Sequence, residues 1–177
     1  MRLLRVSFAI LLGLVFSVPG SRATTTVVFP SFELNRFGSE ELVKLDDFAG
    51  SIVILDFFAY WCVPCRKVSS DLEEYVQKFY TAKGGNAAGF PVQVVSMNIE
   101  QGRAAKTRQY IKQTGVNLVL DDVGGKVYQS LNGRGIPYVV VLTETAGGSH
   151  WAISYSHAGY EGYEKVREVI DSIRPDD

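Results

Sequence analysis

The chain has 177 residues, of which 46% are hydrophobic and 21% charged, a composition typical of one soluble domain with a sizeable core. A formal net charge of −1 gives no indication of nucleic-acid binding. Two cysteines are too few for a disulfide-stapled scaffold, so their close spacing favours chemistry over cross-linking.

The N-terminal residues 1–23 predict a signal peptide. They combine a basic start, an apolar run over residues 6–18 and small residues before a cleavage point after Ala23. The apolar run is short for a membrane span, which needs about 20 residues, although an uncleaved anchor stays open as the alternative. We therefore expect secretion across the inner membrane to the periplasm or another extracytoplasmic space, with residues 24–177 forming one domain.

Alternating strand and helix patterns follow. A short hairpin is expected within residues 32–45, and the apolar residues 53–58 predict a buried central strand. Residues 66–80 predict an amphipathic helix, with Tyr75 on its apolar face and acidic residues, among them Asp71 and Glu73, on its solvent-exposed face. The glycine-rich residues 84–89 predict a flexible surface loop.

The second half continues the alternation. Its predicted elements are a strand (91–97), a helix with Ala104, Tyr110 and Ile111 in the core (103–114), a short strand (116–120), a capped helical stretch (123–131), a strand (138–142), an antiparallel strand (150–157) and a last helix (163–173). This order predicts an α/β domain with a parallel strand pair.

The motif Trp61-Cys62-Val63-Pro64-Cys65 lies between the predicted central strand and its helix. A cysteine at a helix N-terminus has a depressed thiol pKa, because unpaired N–H groups and the helix dipole favour the thiolate. A structural disulfide would close too short a loop to add much stability. Zinc normally needs four ligands, and His150 and His157 are expected on opposite faces of a strand. The motif therefore predicts a redox-active dithiol.

The segment Asp56-Phe57-Phe58-Ala59-Tyr60-Trp61-Cys62-Val63-Pro64-Cys65 resembles the active site of the thioredoxin superfamily. The Trp-Cys-x-Pro-Cys form after a signal segment is most similar to the extracytoplasmic TlpA/ResA-like branch, and the resemblance spans roughly residues 32–173. It implies a thioredoxin-like fold, with a central mixed β-sheet flanked by helices. We expect no cofactor beyond the Cys62–Cys65 disulfide, and no metal.

The resemblance implies a role for each residue of the dithiol site. Cys62 would be the exposed attacking thiol and Cys65 the resolving one. Asp56 would be the buried acid behind Cys65 that shuttles its proton, with a pKa raised by desolvation; the alternative is an Asp at the strand end that is exposed to water. Arg66 and Lys67 either lower the pKa of Cys62 or form a solvated helix face.

The pattern Gly135-Ile136-Pro137 resembles the cis-proline loop of the superfamily, which packs against the dithiol. Ile136 would pair its backbone with the substrate chain, while Trp61 and Pro64 would line the docking rim. Tyr138 stands where the superfamily usually has Thr. The acidic residue that specialised cytochrome c maturation members carry there is missing, which argues against that specific role.

By resemblance, the chain is an extracytoplasmic thiol–disulfide oxidoreductase of protein substrates. A reductase, re-reduced by a membrane electron donor such as a DsbD/CcdA-like protein, is favoured over an oxidant of the same fold. The alternative from another class is a non-catalytic copper-binding metallochaperone, since a thiolate pair can bind Cu(I). We expect a monomer with no nucleic-acid partner.

Overall fold

The structure, a computed structural model, describes residues 28–29, 31–145 and 150–174. The predicted signal peptide, residues 1–23, lies outside the described residues. The sequence also predicts a hairpin loop over residues 143–149, of which residues 146–149 lie outside the described residues as well. No helix in the described ranges is long and apolar enough to cross a membrane.

Strands and helices alternate along the described chain in nearly the predicted order. The strands are β1 (Val28–Phe29), β2 (Glu33–Asn35), β3 (Leu42–Lys44), β4 (Ile52–Phe58), β5 (Val92–Asn98), β6 (Val119–Asp121), β7 (Tyr138–Glu144) and β8 (Trp151–Ala158). The α-helices are α1 (Val63–Leu72), α2 (Lys78–Lys83), α3 (Ala104–Thr114), α4 (Lys126–Ser130) and α5 (Tyr163–Ser172). A π-helical segment (Glu73–Gln77) joins α1 to α2, and two 3-10 turns cover Leu45–Phe48 and Val123–Gly125.

Six strands form one mixed sheet in the order β1-β8-β7-β4-β5-β6, and β2 pairs with β3 in a separate hairpin. Strand β4 is central: it runs parallel to β5 and antiparallel to β7, and all seven of its residues are buried. The predicted central mixed sheet flanked by helices is thereby confirmed. The N-terminal hairpin is confirmed as well.

Alternate residues of β4 enter two cores, because successive side chains of a strand point to opposite faces. Val53, Leu55 and Phe57 belong to the core on one face. Ile52 and Ile54 pack on the other face against α1 and α5, through residues such as Val68 and Ile170. By this alternation Asp56 occupies a position on the α1 side where the strand otherwise presents apolar residues.

The first long helix departs from its prediction. The chain is helical from Val63 to Lys83, because the π-helical segment bridges α1 and α2. Asp71 and Glu73, expected in water, are buried, while Tyr75 is 44% exposed and stacks on Tyr163. Asp71 is covered because Tyr160, just before α5, donates a 2.8 Å hydrogen bond to it.

Helix α3 ends where predicted and begins one residue later than predicted, and one of its predicted core contacts is wrong. Ala104 is exposed, while Thr107 and Tyr110 are buried. Thr107 lies three residues before Tyr110 and so shares its face of the helix, whereas Ala104 begins the helix.

The segment 84–89 is not a free surface loop, because Asn86 within it is buried. The Asn86 amide nitrogen donates to the carbonyls of Ile170 (2.9 Å) and Ile173 (3.3 Å) at the end of α5. Its amide oxygen accepts from the backbone N–H groups of Ala88 and Phe90, each at 3.0 Å. One side chain therefore fastens the segment to α5.

Candidate active site

The two cysteines form a disulfide at the point where α1 begins. Strand β4 ends at Phe58, and the Cys62 N–H closes the following turn by donating to the Ala59 carbonyl at 2.9 Å. Cys62 is the N-cap residue of α1, and its sulfur accepts the Cys65 N–H at 3.2 Å. The sulfur of Cys62 therefore lies at the positive end of the helix, as the motif predicted.

The expectation of an exposed Cys62 is wrong for this disulfide state, since Cys62 is 4% exposed and Cys65 is fully buried. The bond to Cys65 and the N-cap contact turn the Cys62 sulfur inward. There both cysteines join a hydrophobic cluster with Phe58, Ala59 and Tyr110. The neighbours of Cys62 stay in solvent: Trp61 is 55% exposed and Val63 71%.

Asp56 is completely buried on β4 and hydrogen-bonded to the helix that carries the cysteines. The Ser69 hydroxyl donates to Asp56 Oδ2 at 2.5 Å, and Ser69 lies four residues after Cys65, on the same face of α1. Among the described residues no group bonds the other carboxyl oxygen, Oδ1. Desolvation raises the pKa of Asp56 from 3.8 to about 7, although the Ser69 bond opposes the shift. The carboxyl can therefore both take and release a proton near neutral pH.

The hydrogen-bond chain continues from Ser69 to Tyr110 on α3, whose hydroxyl lies 2.7 Å from the Ser69 hydroxyl. Tyr110 stacks on Phe58 with ring centroids 4.3 Å apart. Burial, and then the nearby Asp56 carboxylate, raise the pKa of Tyr110, so it stays protonated. Because the single Ser69 proton points to ionised Asp56, Tyr110 is the donor to Ser69 in that state.

The peptide bond between Ile136 and Pro137 is cis, as predicted. Ile136 is half-buried and packs against the cluster that contains both cysteines, so the loop and the disulfide are neighbours. Tyr138, the first residue of β7, turns into the core, where it stacks on Phe57 and donates to the Leu131 carbonyl at 2.7 Å. Its side chain therefore belongs to the core and not to the exposed surface.

The rim beside the disulfide is aromatic and basic. Trp61 is held through its indole N–H, which donates to Glu100 at 3.1 Å, and Pro64 is exposed within the first turn of α1. Arg66 is not a freely solvated side chain: it donates to the Tyr60 carbonyl at 2.9 Å and lies 5.8 Å from the Tyr110 ring centroid. Lys67 instead is exposed and pairs with Asp71 at 2.7 Å.

Sequence reasoning missed Ser69 and Glu100 and gave Tyr110 only a packing role. Ser69 could have been found, because a serine four residues after Cys65 falls on the buried helix face, where a hydroxyl needs a partner. The contact between Glu100 and Trp61 joins residues 39 apart in sequence and left no local signal.

The described ranges contain no group of three or more His, Cys, Asp or Glu side chains placed to hold a metal ion. His157 instead lies 3.3 Å from Glu161.

A family model described as thioredoxin-like matches residues 50–147, a range that includes the disulfide and the cis-proline loop. Among curated proteins, the thiol-disulfide oxidoreductase ResA of Bacillus thuringiensis is 23% identical over 134 residues, which cover 75% of this chain and 69% of ResA. SUPPRESSOR OF QUENCHING 1 of Arabidopsis thaliana is 38% identical over 72 residues, so this chain spans only 7% of that much longer protein.

Among solved structures, a Chlorobium tepidum protein described as a thiol:disulfide interchange protein DsbE superposes with a TM-score of 0.65 at 26% identity. The match covers 83% of this chain and 95% of that one. The comparisons confirm both the thioredoxin-like fold and the resemblance to the TlpA/ResA-like branch.

Proposed function

The chain belongs to the thioredoxin-like family, and on that premise we propose that it is a thiol–disulfide oxidoreductase that reduces disulfides in other proteins outside the cytoplasm. The observation that carries the proposal is the position of Cys62. Its sulfur caps α1 and accepts a backbone N–H, so the same helix end stabilises a thiolate after reduction.

The reaction is an exchange of two electrons. The Cys62 thiolate attacks one sulfur of the partner disulfide, forms a mixed disulfide and releases the other partner sulfur as a thiolate. Cys65 then loses its proton and attacks the Cys62 sulfur, which releases the second partner sulfur. The partner is reduced to two thiols, and the Cys62–Cys65 disulfide forms.

Asp56 is the proposed acceptor of the Cys65 proton. Its Oδ1 oxygen accepts no hydrogen bond from the described residues, and its pKa is about 7. Both properties suit a group that must be ionised before the resolving step and protonated after it. The hydrogen bonds through Ser69 to Tyr110 hold the carboxyl in place and run from it towards the surface cleft that Tyr110 lines.

We assign partner binding to the surface around the disulfide. Trp61 and Pro64 offer an exposed apolar rim, and Ile136 would pair its backbone with the partner chain at the cis-proline loop. The direction of electron flow is supported by the resemblance alone, and the compartment by the resemblance and by the predicted leader in residues 1–23. A membrane donor of the DsbD/CcdA-like kind would then restore the dithiol.

The test is turnover with single-cysteine variants. Reduced wild-type protein should reduce a protein disulfide stoichiometrically and, with a reductant present, catalytically. Cys65→Ser should accumulate a mixed disulfide on Cys62, while Cys62→Ser should trap none. Trapping that requires Cys62→Ser would reverse the assignment. A stoichiometric Cu(I) complex without exchange on protein disulfides would favour the metallochaperone instead.

A further inference from the structure

A cleft of about 680 Å³ opens beside Trp61, between the start of α1 and one face of α3. Its aromatic lining consists of Tyr60, Trp61 and Tyr110. Lys106 and Gln109 also line it, and they share a face of α3 with Tyr110. Trp61 directly precedes Cys62 in the chain, so the cleft borders the residue next to the disulfide, and neither cysteine is among its lining residues.

The cleft is lined by two basic residues, Arg66 and Lys106, and by no acidic one, while the Glu100 carboxylate beside it accepts the Trp61 indole N–H. The charge continues along α3, where Arg103, Lys106, Arg108 and Lys112 occur with no Asp or Glu between residues 101 and 120. None of the ion pairs found within the described ranges involves these four residues or Arg66. In a chain with 18 basic and 19 acidic residues, this is a local concentration of unpaired positive charge.

Arg66 is preorganised for a carboxylate. One N–H of its guanidinium is fixed by the Tyr60 carbonyl and its plane lies near the Tyr110 ring, so the side chain loses little entropy on binding. Its remaining N–H groups form the planar fork that pairs with carboxylates, and Lys106 adds a mobile point charge on the facing helix.

Resting on the proposed function, we infer that this cleft binds an acidic segment of the partner protein beside the cysteine that Cys62 attacks. Arg66 and Lys106 hold the Asp or Glu side chains, the Tyr60 and Trp61 rings contact the apolar parts, and the glutamine amides of α3 bond the peptide backbone. The cleft thus selects which disulfides are reduced, while the dithiol performs the exchange.

The test uses three synthetic peptides of equal length, each with one disulfide flanked by Glu, Gln or Lys. The rate constant for reduction by the reduced protein should fall in that order, with the Glu peptide about tenfold faster than the Lys peptide at low salt. Raising the ionic strength should shrink this ratio, since exposed charges are screened.

Two charge-reversal variants distinguish binding in the cleft from attraction by the overall positive charge of α3. Lys106→Glu should lower the Glu-to-Lys rate ratio to about one or below. Lys112→Glu, the same charge change on α3 outside the cleft lining, should leave most of the ratio in place.

Equal rates for all three peptides would overturn the inference while leaving the oxidoreductase intact. An equal fall of the Glu-to-Lys rate ratio in the two variants would also overturn it, in favour of a diffuse basic surface such as one that binds anionic lipid. No reduction of any peptide or of a protein disulfide would overturn the proposed function as well.

Discussion

The Ser69 hydroxyl donates a 2.5 Å hydrogen bond to the Asp56 carboxyl, and both residues are completely buried. Ser69 belongs to the helix that carries the cysteines, whereas Asp56 belongs to the central strand. The bond therefore joins the two elements that build the site. It also opposes the desolvation that raises the pKa of Asp56, so both residues set the pH at which this acid exchanges its proton.

Asp56→Asn should stabilise the protein above pH 7. Unfolded Asp56 ionises near pH 3.8 and folded Asp56 near 7, so the folded state holds the extra proton between these values and wild-type stability falls as the pH rises. Above pH 7 the loss of folding stability that the raised Asp56 pKa causes is constant, on the order of 4 kcal/mol for a shift of roughly three pH units. Below about pH 4 it vanishes, because both states are protonated.

Urea unfolding of the disulfide form from pH 4 to 8 measures the effect. The gain of Asp56→Asn over wild type should grow from pH 4 to 7 and then level off. Glu168→Gln, which removes an exposed carboxylate, is the control and should change stability by less than about 0.5 kcal/mol at any pH. A gain from Asp56→Asn that does not vary with pH would rule out a raised Asp56 pKa.

Ser69→Ala should raise the pKa of Asp56 above about 7, because it removes the hydrogen bond that favours the carboxylate. Hydrogen bonds to charged groups contribute about 1.5–3 kcal/mol, which corresponds to a shift of about one to two pH units. Carboxyl ¹³C NMR titration gives the value directly. Ser70→Ala changes the next residue of the helix and should leave the Asp56 titration midpoint unchanged. An unchanged midpoint in Ser69→Ala would show that the Ser69 hydrogen bond does not set the pKa of Asp56.

Asn86→Ala should destabilise the fold by about 3 kcal/mol. It leaves buried backbone groups without hydrogen-bond partners, both at the end of α5 and within residues 84–90. Thermal or urea unfolding measures the loss. Asn117→Ala, at an exposed position, serves as the matched control and should cost less than about 0.5 kcal/mol. A similar small loss at Asn86 would mean that the segment is free of α5 after all.

The central elements could be predicted from sequence because their signals are local. The apolar run of β4, the helix beginning at the cysteine pair and the Gly-Ile-Pro pattern each lie within a few residues. The buried position of Asp56 was implied by the resemblance of residues 56–65 to the thioredoxin active site, and its place inside the apolar strand β4 agrees with that burial.

What escaped prediction depends on partners distant in sequence. Asp71 was predicted to face solvent because Tyr160, which covers it, lies 89 residues away. Asn86 was predicted to be a loop residue because its partners lie 84 and 87 residues away. Ser69 and Tyr110 form one network only once α3 packs beside α1. Tertiary contacts of this kind leave no periodic pattern.

The reduction potential of the Cys62–Cys65 pair tests the central claim most directly. Equilibration of the protein with redox buffers of known potential, followed by alkylation of free thiols, gives the value. A reductase should have a potential near that of thioredoxin, about −270 mV. A potential near −120 mV, typical of a strong disulfide oxidant, would contradict the proposed direction of electron flow.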